Sequence, residues 1–405
     1  MATNSGRSSL ALRREMVAGL VRTGAIGSDA VRRAFLAVPR ERFVPKIAER
    51  DGLAAVYARD TALVTATDAR GVPISSSSAP AIMAPMLEAL DLAPGLRVLE
   101  VGAGTGYNAA LLKTLVGESG RVISIDIEPS FARRARRALG EAGHRCSVAV
   151  GDGKLGWPGG APFDRIIATA SADHVPQAWR DQLTDGGLVE LPLRLSPGSP
   201  LQAVVTLRRE GGRLVSRSIM AGSFMPLRGA DGSSPGIGND PSLRAQSSSG
   251  GPPTTLAAIS GLALDSLSPG SARRSLATLL GPSHDRRTLP KGAAGGLMLF
   301  LAWGAARSLV FYTRDRRYGL AIVDRTGASI AALTRLPGSP GRIETWGDDR
   351  ARDALEAQMA RWERLGRPTL ADLRITVRYG EEATPKAWRS IRTADSVVTL
   401  DWLSS

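Results

Sequence analysis

The chain changes its hydrophobic rhythm more than once. Over residues 8–36 apolar positions recur at roughly helical spacing, with Leu10, Met16, Leu20 and Val21 on one side. A second helical segment, 28–36, opens on Ser28-Asp29, whose side chains suit the free N–H groups of a first turn. In the run Val38-Pro39-Arg40-Glu41-Arg42-Phe43-Val44-Pro45 the prolines are expected to close the helical region. From residue 97 short apolar runs alternate with helical patterns. Strands are predicted over 97–102, 121–127, 147–152 and 163–170, and helices over 108–116, 129–142 and near 176–183. A strand at 187–193 and a hairpin of 203–209 with 213–220, turning at Glu210-Gly211-Gly212, end the series. This alternation predicts an α/β fold with a parallel sheet and antiparallel strands at one edge.

Residues 229–253 are dense in Gly, Ser and Pro and read as a linker. Beyond it the pattern predicts an α+β unit. Strands are expected over 309–314, 318–324, 329–336, 342–346, 373–379 and 397–403. A helix is expected over 349–365, with Ala351, Leu355, Met359 and Trp362 on one face. The apolar stretch 292–306 is shorter than a bilayer span and is expected to be protein core.

With 405 residues, 43% hydrophobic and 22% charged, the composition suits a two-domain globular protein. No signal peptide or spanning segment is evident, and cytoplasmic residence is expected. Cys146 is the only cysteine and should be a buried, inert thiol. The three histidines, His144, His174 and His284, stand far apart, so no metal site is expected. The net charge is +14, and residues 236–405 carry +7 of it, so the excess is spread along the chain. It reads as a solvated basic surface or as suited to an acidic macromolecular substrate.

The strongest chemical signal is Val98-Leu99-Glu100-Val101-Gly102-Ala103-Gly104-Thr105-Gly106-Tyr107, between a predicted strand and a helix. Glycines there let the backbone turn sharply against a ligand, and the helix start can receive an anion. Asp126, followed by Ile127, ends the next strand and is placed to accept from ribose hydroxyls. Asp152, followed by Gly153, ends the third and is placed to meet an adenine amino group. Both acids would otherwise serve as strand-end caps or turn formers. Glu100 followed by Gly-Ala-Gly-Thr-Gly suits adenosylmethionine better than a dinucleotide. The fourth strand ends in Ala168-Thr169-Ala170-Ser171, without the Asn/Asp-Pro-Pro-aromatic motif of enzymes that methylate base amino groups, so no nucleic-acid substrate is expected.

With these residues in view, the chain resembles the protein-L-isoaspartate O-methyltransferase family. The resemblance is carried by Val38 through Pro45, by Ile74-Ser75 through Ser78-Ala79-Pro80, and by Leu99 through Tyr107. Gly151-Asp152-Gly153, Gly156-Trp157-Pro158, Ala161 through Ala170 and Phe224-Met225-Pro226-Leu227 complete it. It implies a Rossmann-like class I methyltransferase domain over 51–228, preceded by a helical region over 1–50. The linker then leads to a C-terminal α+β accessory or substrate domain over 254–405. S-adenosyl-L-methionine is the implied cofactor, held by Glu100, Gly102, Ala103, Gly104, Thr105, Gly106, Tyr107, Asp126, Ile127, Asp152 and Gly153.

The resemblance also implies a serine beside the transferring methyl group. Counting back from Pro80 gives Ser78, and counting forward from Ile74 gives Ser75. The run Ser75-Ser76-Ser77-Ser78 is also suited to capping a helix that begins at Pro80. The implied reaction is in-line methyl transfer to an aspartyl or isoaspartyl carboxylate, whose ester then closes to a succinimide. Repair members of the family are expected to end soon after the catalytic domain. The extra residues, the lengthened serine loop and Gly71-Val72-Pro73 resemble members associated with ribosomally made peptides such as lanthipeptides. The expected partner is thus a peptide or protein bearing Asp or isoAsp, taken by a monomer without nucleic acid or membrane. The competing expectations are a repair enzyme for isoaspartyl residues and an inactive adenosylmethionine-binding scaffold.

Overall fold

The computed structural model describes residues 7–69, 71–194, 202–229, 243–246, 255–260, 264, 266–289, 293–304, 308–313, 318–335, 341–380, 387–393 and 395–403. Two N-terminal helices form in the predicted helical region, the second at its Ser28 cap signal. In α1 (Ser9–Arg22) the Ser8 hydroxyl accepts from the Ala11 N–H, and in α2 (Asp29–Ala37) Ser28 accepts from Val31. The prolines do not end the helical region. Pro45 opens a third helix, α3 (Pro45–Val56), because the first helical position needs no N–H and proline's fixed φ suits it.

A hairpin that the pattern did not disclose follows. Its strands β1 (Leu63–Thr67) and β2 (Pro73–Ser77) pair antiparallel and carry three of the four serines. Helix α4 (Pro80–Ala89) starts immediately afterwards. Its N-cap is Ala79 and no side chain caps it, so the serine run does not serve as the helix cap.

The alternating region then builds β3 (Arg97–Val101), α5 (Tyr107–Val116), β4 (Arg121–Asp126), α6 (Pro129–Glu141), β5 (Ser147–Val150), β6 (Phe163–Ala168), α7 (Gln177–Gln182), β7 (Leu183–Arg194), β8 (Gln202–Glu210) and β9 (Arg213–Ala221). β3, β4, β5, β6 and β7 pair parallel, and β8 and β9 add the antiparallel edge. Side chains alternate between faces along each strand. Val98, Val122 and Ile167 therefore pack under the helices α1, α2, α4 and α5. Leu99, Ile123 and Ile166 point to the opposite face, against Trp179 and Leu183. The strand order reverses about β3, with β4 on one side and β6 on the other. Ligand crevices in such sheets form at this place, outside the carboxyl ends of the strands.

The second unit is a mixed layer structure. It contains β10 (Leu243–Gln246), β11 (Thr255–Ser260), α8 (Pro269–Leu280), β12 (His284–Thr288), α9 (Ala293–Gly304), β13 (Ser308–Thr313), β14 (Tyr318–Val323), β15 (Ile330–Arg335), β16 (Arg342–Trp346) and α10 (Arg350–Arg364). Most of the segment 229–253 lies outside the described residues, but β10 falls within it and pairs with β11. Among the described residues, seven strands form one antiparallel sheet. One face meets α8 through Leu276 and Leu279. The other meets α9 and α10 through Leu297, Phe300, Leu301, Leu355 and Trp362, so the apolar stretch near 292–306 is core where it is described.

The chain finally returns to the first sheet. β17 (Leu373–Tyr379), β18 (Arg389–Arg392) and β19 (Ser396–Trp402) follow, and β17 pairs with β9 at Thr376–Val215 and Val377–Leu214. Among the described residues this makes a ten-stranded sheet in the order β18-β19-β17-β9-β8-β7-β6-β3-β4-β5. No helix among the described residues is long and apolar enough to cross a membrane.

Candidate active site

The chemistry-bearing residues converge where β3, β4 and β6 end. After Val101 the backbone turns at Gly102, with φ 102°, and a Cβ there would lie 2.6 Å from Thr169 Oγ1. Only glycine meets both constraints without strain. The Gly104 N–H donates to Asp126 Oδ2 at 2.9 Å, and the Glu128 N–H donates to Oδ1 at 3.0 Å. Each oxygen keeps acceptor capacity toward the cleft. Burial raises the Asp126 carboxyl, and the two backbone donors partly offset that shift.

Asp126, Ile127, Gly102, Gly104 and Gly153 all line one cleft, together with Ile74, Phe131, Leu227 and Arg228. At Gly153 a Cβ would lie 2.3 Å from Val101 Cγ1, so this wall also needs glycine. The apolar side chains and the paired carboxylate suit an adenosine moiety.

Asp152 itself is not among the cleft-lining residues. Its carboxylate accepts from the Lys154 N–H at 2.9 Å and caps the short turn Gly153–Leu155, because the strand has already ended at Val150. Glu100 also stands behind the cleft. It is fully buried beneath the loop and accepts from Asn108 Nδ2 at 2.8 Å and from the Ser124 hydroxyl. Burial pushes its carboxyl up to about 7, against the lowering effect of those two donors. Gly106 precedes α5 as its N-cap, and the Thr105 hydroxyl accepts from the Tyr107 N–H at 3.3 Å. Tyr107 is buried, with its ring centroid 5.6 Å from that of Phe43.

A second, smaller cavity adjoins the cleft. Ser76, Ser77, Ser78, Ala103, Thr105, Tyr107, Asn108 and Phe224 line it, and Ser76, Gly102, Gly104 and Thr169 belong to both spaces. The two candidate serines therefore separate. Ser78 faces the small cavity. Ser75 lines the cleft, but its hydroxyl accepts from Thr65 Oγ1 at 2.9 Å and from Arg134 Nη2 at 3.3 Å.

Arg40, quoted in the sequence only as part of a motif, turns out to organise the serine run. It is completely buried and donates to the carbonyls of Val56 at 2.9 Å, Ser77 at 3.1 Å and Ser78 at 2.8 Å. Ser76 and Thr169 line both spaces, and only their places in the serine run and at a strand end mark them in the sequence. Cys146 is half-buried, and burial pushes its thiol up to about 12. Among the described residues no group of three potential metal-binding side chains comes together.

Comparison with known proteins places these features in one context. Residues 11–232 match the family model described as Protein-L-isoaspartate(D-aspartate) O-methyltransferase. The protein-L-isoaspartate O-methyltransferase of Hyperthermus butylicus is 42% identical over 232 residues, covering 54% of this chain and 90% of that protein. The one from Ignicoccus hospitalis is 38% identical over 219 residues, covering 53% and 96%. A solved protein-L-isoaspartate O-methyltransferase superposes with a TM-score of 0.52 at 25% identity, covering 91% of this chain and 96% of its own. That match extends into the second unit, so chain length alone does not set this protein apart, contrary to the expectation drawn from its extra residues.

Proposed function

The chain belongs to the protein-L-isoaspartate(D-aspartate) O-methyltransferase family, and on that premise we propose that it methylates the free carboxylate of L-isoaspartyl residues in proteins or peptides, using S-adenosyl-L-methionine. The observation that carries this reading is the wall shared by the cleft at Asp126 and the serine-lined cavity. A cofactor held in the one presents its reactive end to the other.

Asp126 is the residue to hold the ribose, and Ile127, Phe131 and Leu227 enclose the base. Bound there, the cofactor supplies an electrophilic methyl group on a sulfonium. The Ser78 hydroxyl orients the acceptor by donating to a carboxylate oxygen. A carboxylate with a reference pKa of roughly 4 is already ionised at neutral pH, so no side chain has to remove a proton. Acceptor and sulfonium both lose charge as the bond forms, which favours a cavity that admits little water. The resulting ester is more electrophilic than the acid, and the next backbone nitrogen attacks its carbonyl, giving up its proton and expelling methanol to close a succinimide without further help from the protein.

The alternative acceptor is an aspartyl side chain of a ribosomally made peptide, which the lengthened serine run favours. Matched isoaspartyl and aspartyl peptides, incubated with methyl-labelled cofactor and analysed by mass, test both readings. Labelling of the isoaspartyl peptide alone is expected. Labelling of the aspartyl form in preference would overturn the repair reading.

A further inference from the structure

We propose that a third, cationic cavity beside the methyl-transfer site binds an acidic stretch of the polypeptide substrate, an inference that rests on the reading of the acceptor as a residue within a polypeptide. The cavity lies between residues 42–50 and α6 and measures about 640 Å³, within the range of ligand sites.

Its charge is strongly one-sided. Arg42, Lys46, Arg50, Arg133, Arg134 and Arg137 line it, opposed only by Glu141. Arg50 turns outward to Asp51, and Arg137 lies 3.8 Å from Glu141. Arg134 is committed to Thr65, Ser75 and the Gly104 carbonyl. Among the described residues no carboxylate lies within ion-pair distance of Arg42, Lys46 or Arg133, all three of which are exposed. Like charges gathered in a concave site repel one another until an anion enters, and they raise its local concentration.

The floor decides what kind of anion fits. Of the apolar residues that line the cavity, Val64 is 45% exposed, while Val44, Ile47 and Ala138 are buried behind the cations. Cations set apart on residues 42–50 and on α6, with one exposed aliphatic residue beside them, suit an extended chain with spaced carboxylates. Single-stranded nucleic acid needs exposed aromatic faces for stacking. The one aromatic lining residue, Phe43, is 2% exposed and packs on Tyr107.

Position links the cavity to the chemistry. Thr105 lines both it and the small cavity at Ser78. Arg134 reaches from the cationic cavity to Ser75 and the Gly104 carbonyl. Acidic residues held there belong to the same stretch of chain as the methyl acceptor.

The test is fluorescence anisotropy of a labelled Glu-rich peptide and its Gln-rich counterpart, neither containing isoaspartate, with the full-length protein and an Arg42→Glu/Arg133→Glu variant. The Glu-rich peptide is expected to bind about tenfold or more tightly, with a preference that fades as salt rises and disappears in the variant. An Arg42→Gln/Arg133→Gln variant should lie between the two. Equal binding of both peptides, or an unchanged preference in the charge-reversed variant, overturns the proposal. So does a short duplex DNA that binds in an Arg42- and Arg133-dependent way while the Glu-rich peptide does not. Methylation of a neutral isoaspartyl peptide is followed separately. Its absence alongside intact Glu-rich binding would sink the repair reading and leave the cavity assignment standing.

Discussion

The Arg40 guanidinium donates a 2.8 Å hydrogen bond to the Ser78 carbonyl from a position with no solvent exposure. It pairs with no carboxylate among the described residues. Instead it spreads its N–H groups over the carbonyls of Val56, Ser77 and Ser78, with its cation 5.8 Å from the centroid of the Tyr107 ring. The serine loop therefore rests on one planar fork, and a lysine's single ammonium cannot reproduce that geometry. Replacing Arg40 by Met strands two buried acceptors and one part-buried acceptor and should lower stability by about 3 kcal/mol. Arg40→Lys should retain part of the stability and lose most of the turnover. Denaturant titration and initial rates, measured on the same preparations, check both expectations.

Ser78 and Ser75 should part company on substitution. Ser78→Ala, at a residue lining the small cavity, is expected to reduce kcat by about a hundredfold with an unchanged melting temperature, since misplacing the acceptor has costs of that order. Ser75→Ala removes contacts to Thr65 and Arg134 and should cost about 1 kcal/mol of stability, with a smaller effect on rate. The reverse pattern would assign the methyl-transfer role to Ser75.

Gly102 sets the width of the cleft. A methyl at this position meets Thr169 Oγ1 at 2.6 Å on a backbone with φ 102°. Gly102→Ala should weaken binding of S-adenosylmethionine by about tenfold or more, read by titration calorimetry. Undiminished affinity would remove the glycine turn from the cofactor site.

Glu100 makes stability depend on pH in an unusual direction. Its folded pKa, about 7, lies above the reference value of 4.5 because burial penalises the charge. The folded state therefore holds the proton more tightly, and the stabilisation is complete below pH 4.5 and lost as pH rises through about 7. The loss should approach about 3 kcal/mol. Glu100→Gln should flatten this slope in denaturant midpoints collected across that window. A residual slope of the same sign is expected from Glu190, whose buried carboxyl is also raised well above its ordinary value.

The parts of the site that the sequence disclosed are those set by local rules. Glycine spacing and strand-to-helix alternation locate the turn at 102–106, and a strand end locates Asp126. The hairpin at 63–77 escaped notice because Pro73-Ile74-Ser75-Ser76-Ser77 carries little strand propensity and takes its shape from β1. α3 escaped because Pro45 opens a helix as readily as it ends one. Arg40 was invisible as a buried residue in a chain this rich in arginine. Asp152 keeps the place just beyond a strand end that the pattern gives it, and the short turn that follows adds the Lys154 N–H as a donor to its carboxylate. None of the local signals reaches the pairing of Thr376 with Val215, which joins distant parts of the chain.

That pairing has a consequence during synthesis. β9 leaves the ribosome as an open sheet edge, and β17, the strand that covers it, is encoded some 150 residues later. At typical elongation speeds the edge stays uncovered for roughly ten to thirty seconds. Throughout that interval the nascent chain carries a row of unpaired backbone groups that other strands can recruit. A stop codon placed after the methyltransferase unit would make this transient vulnerability permanent.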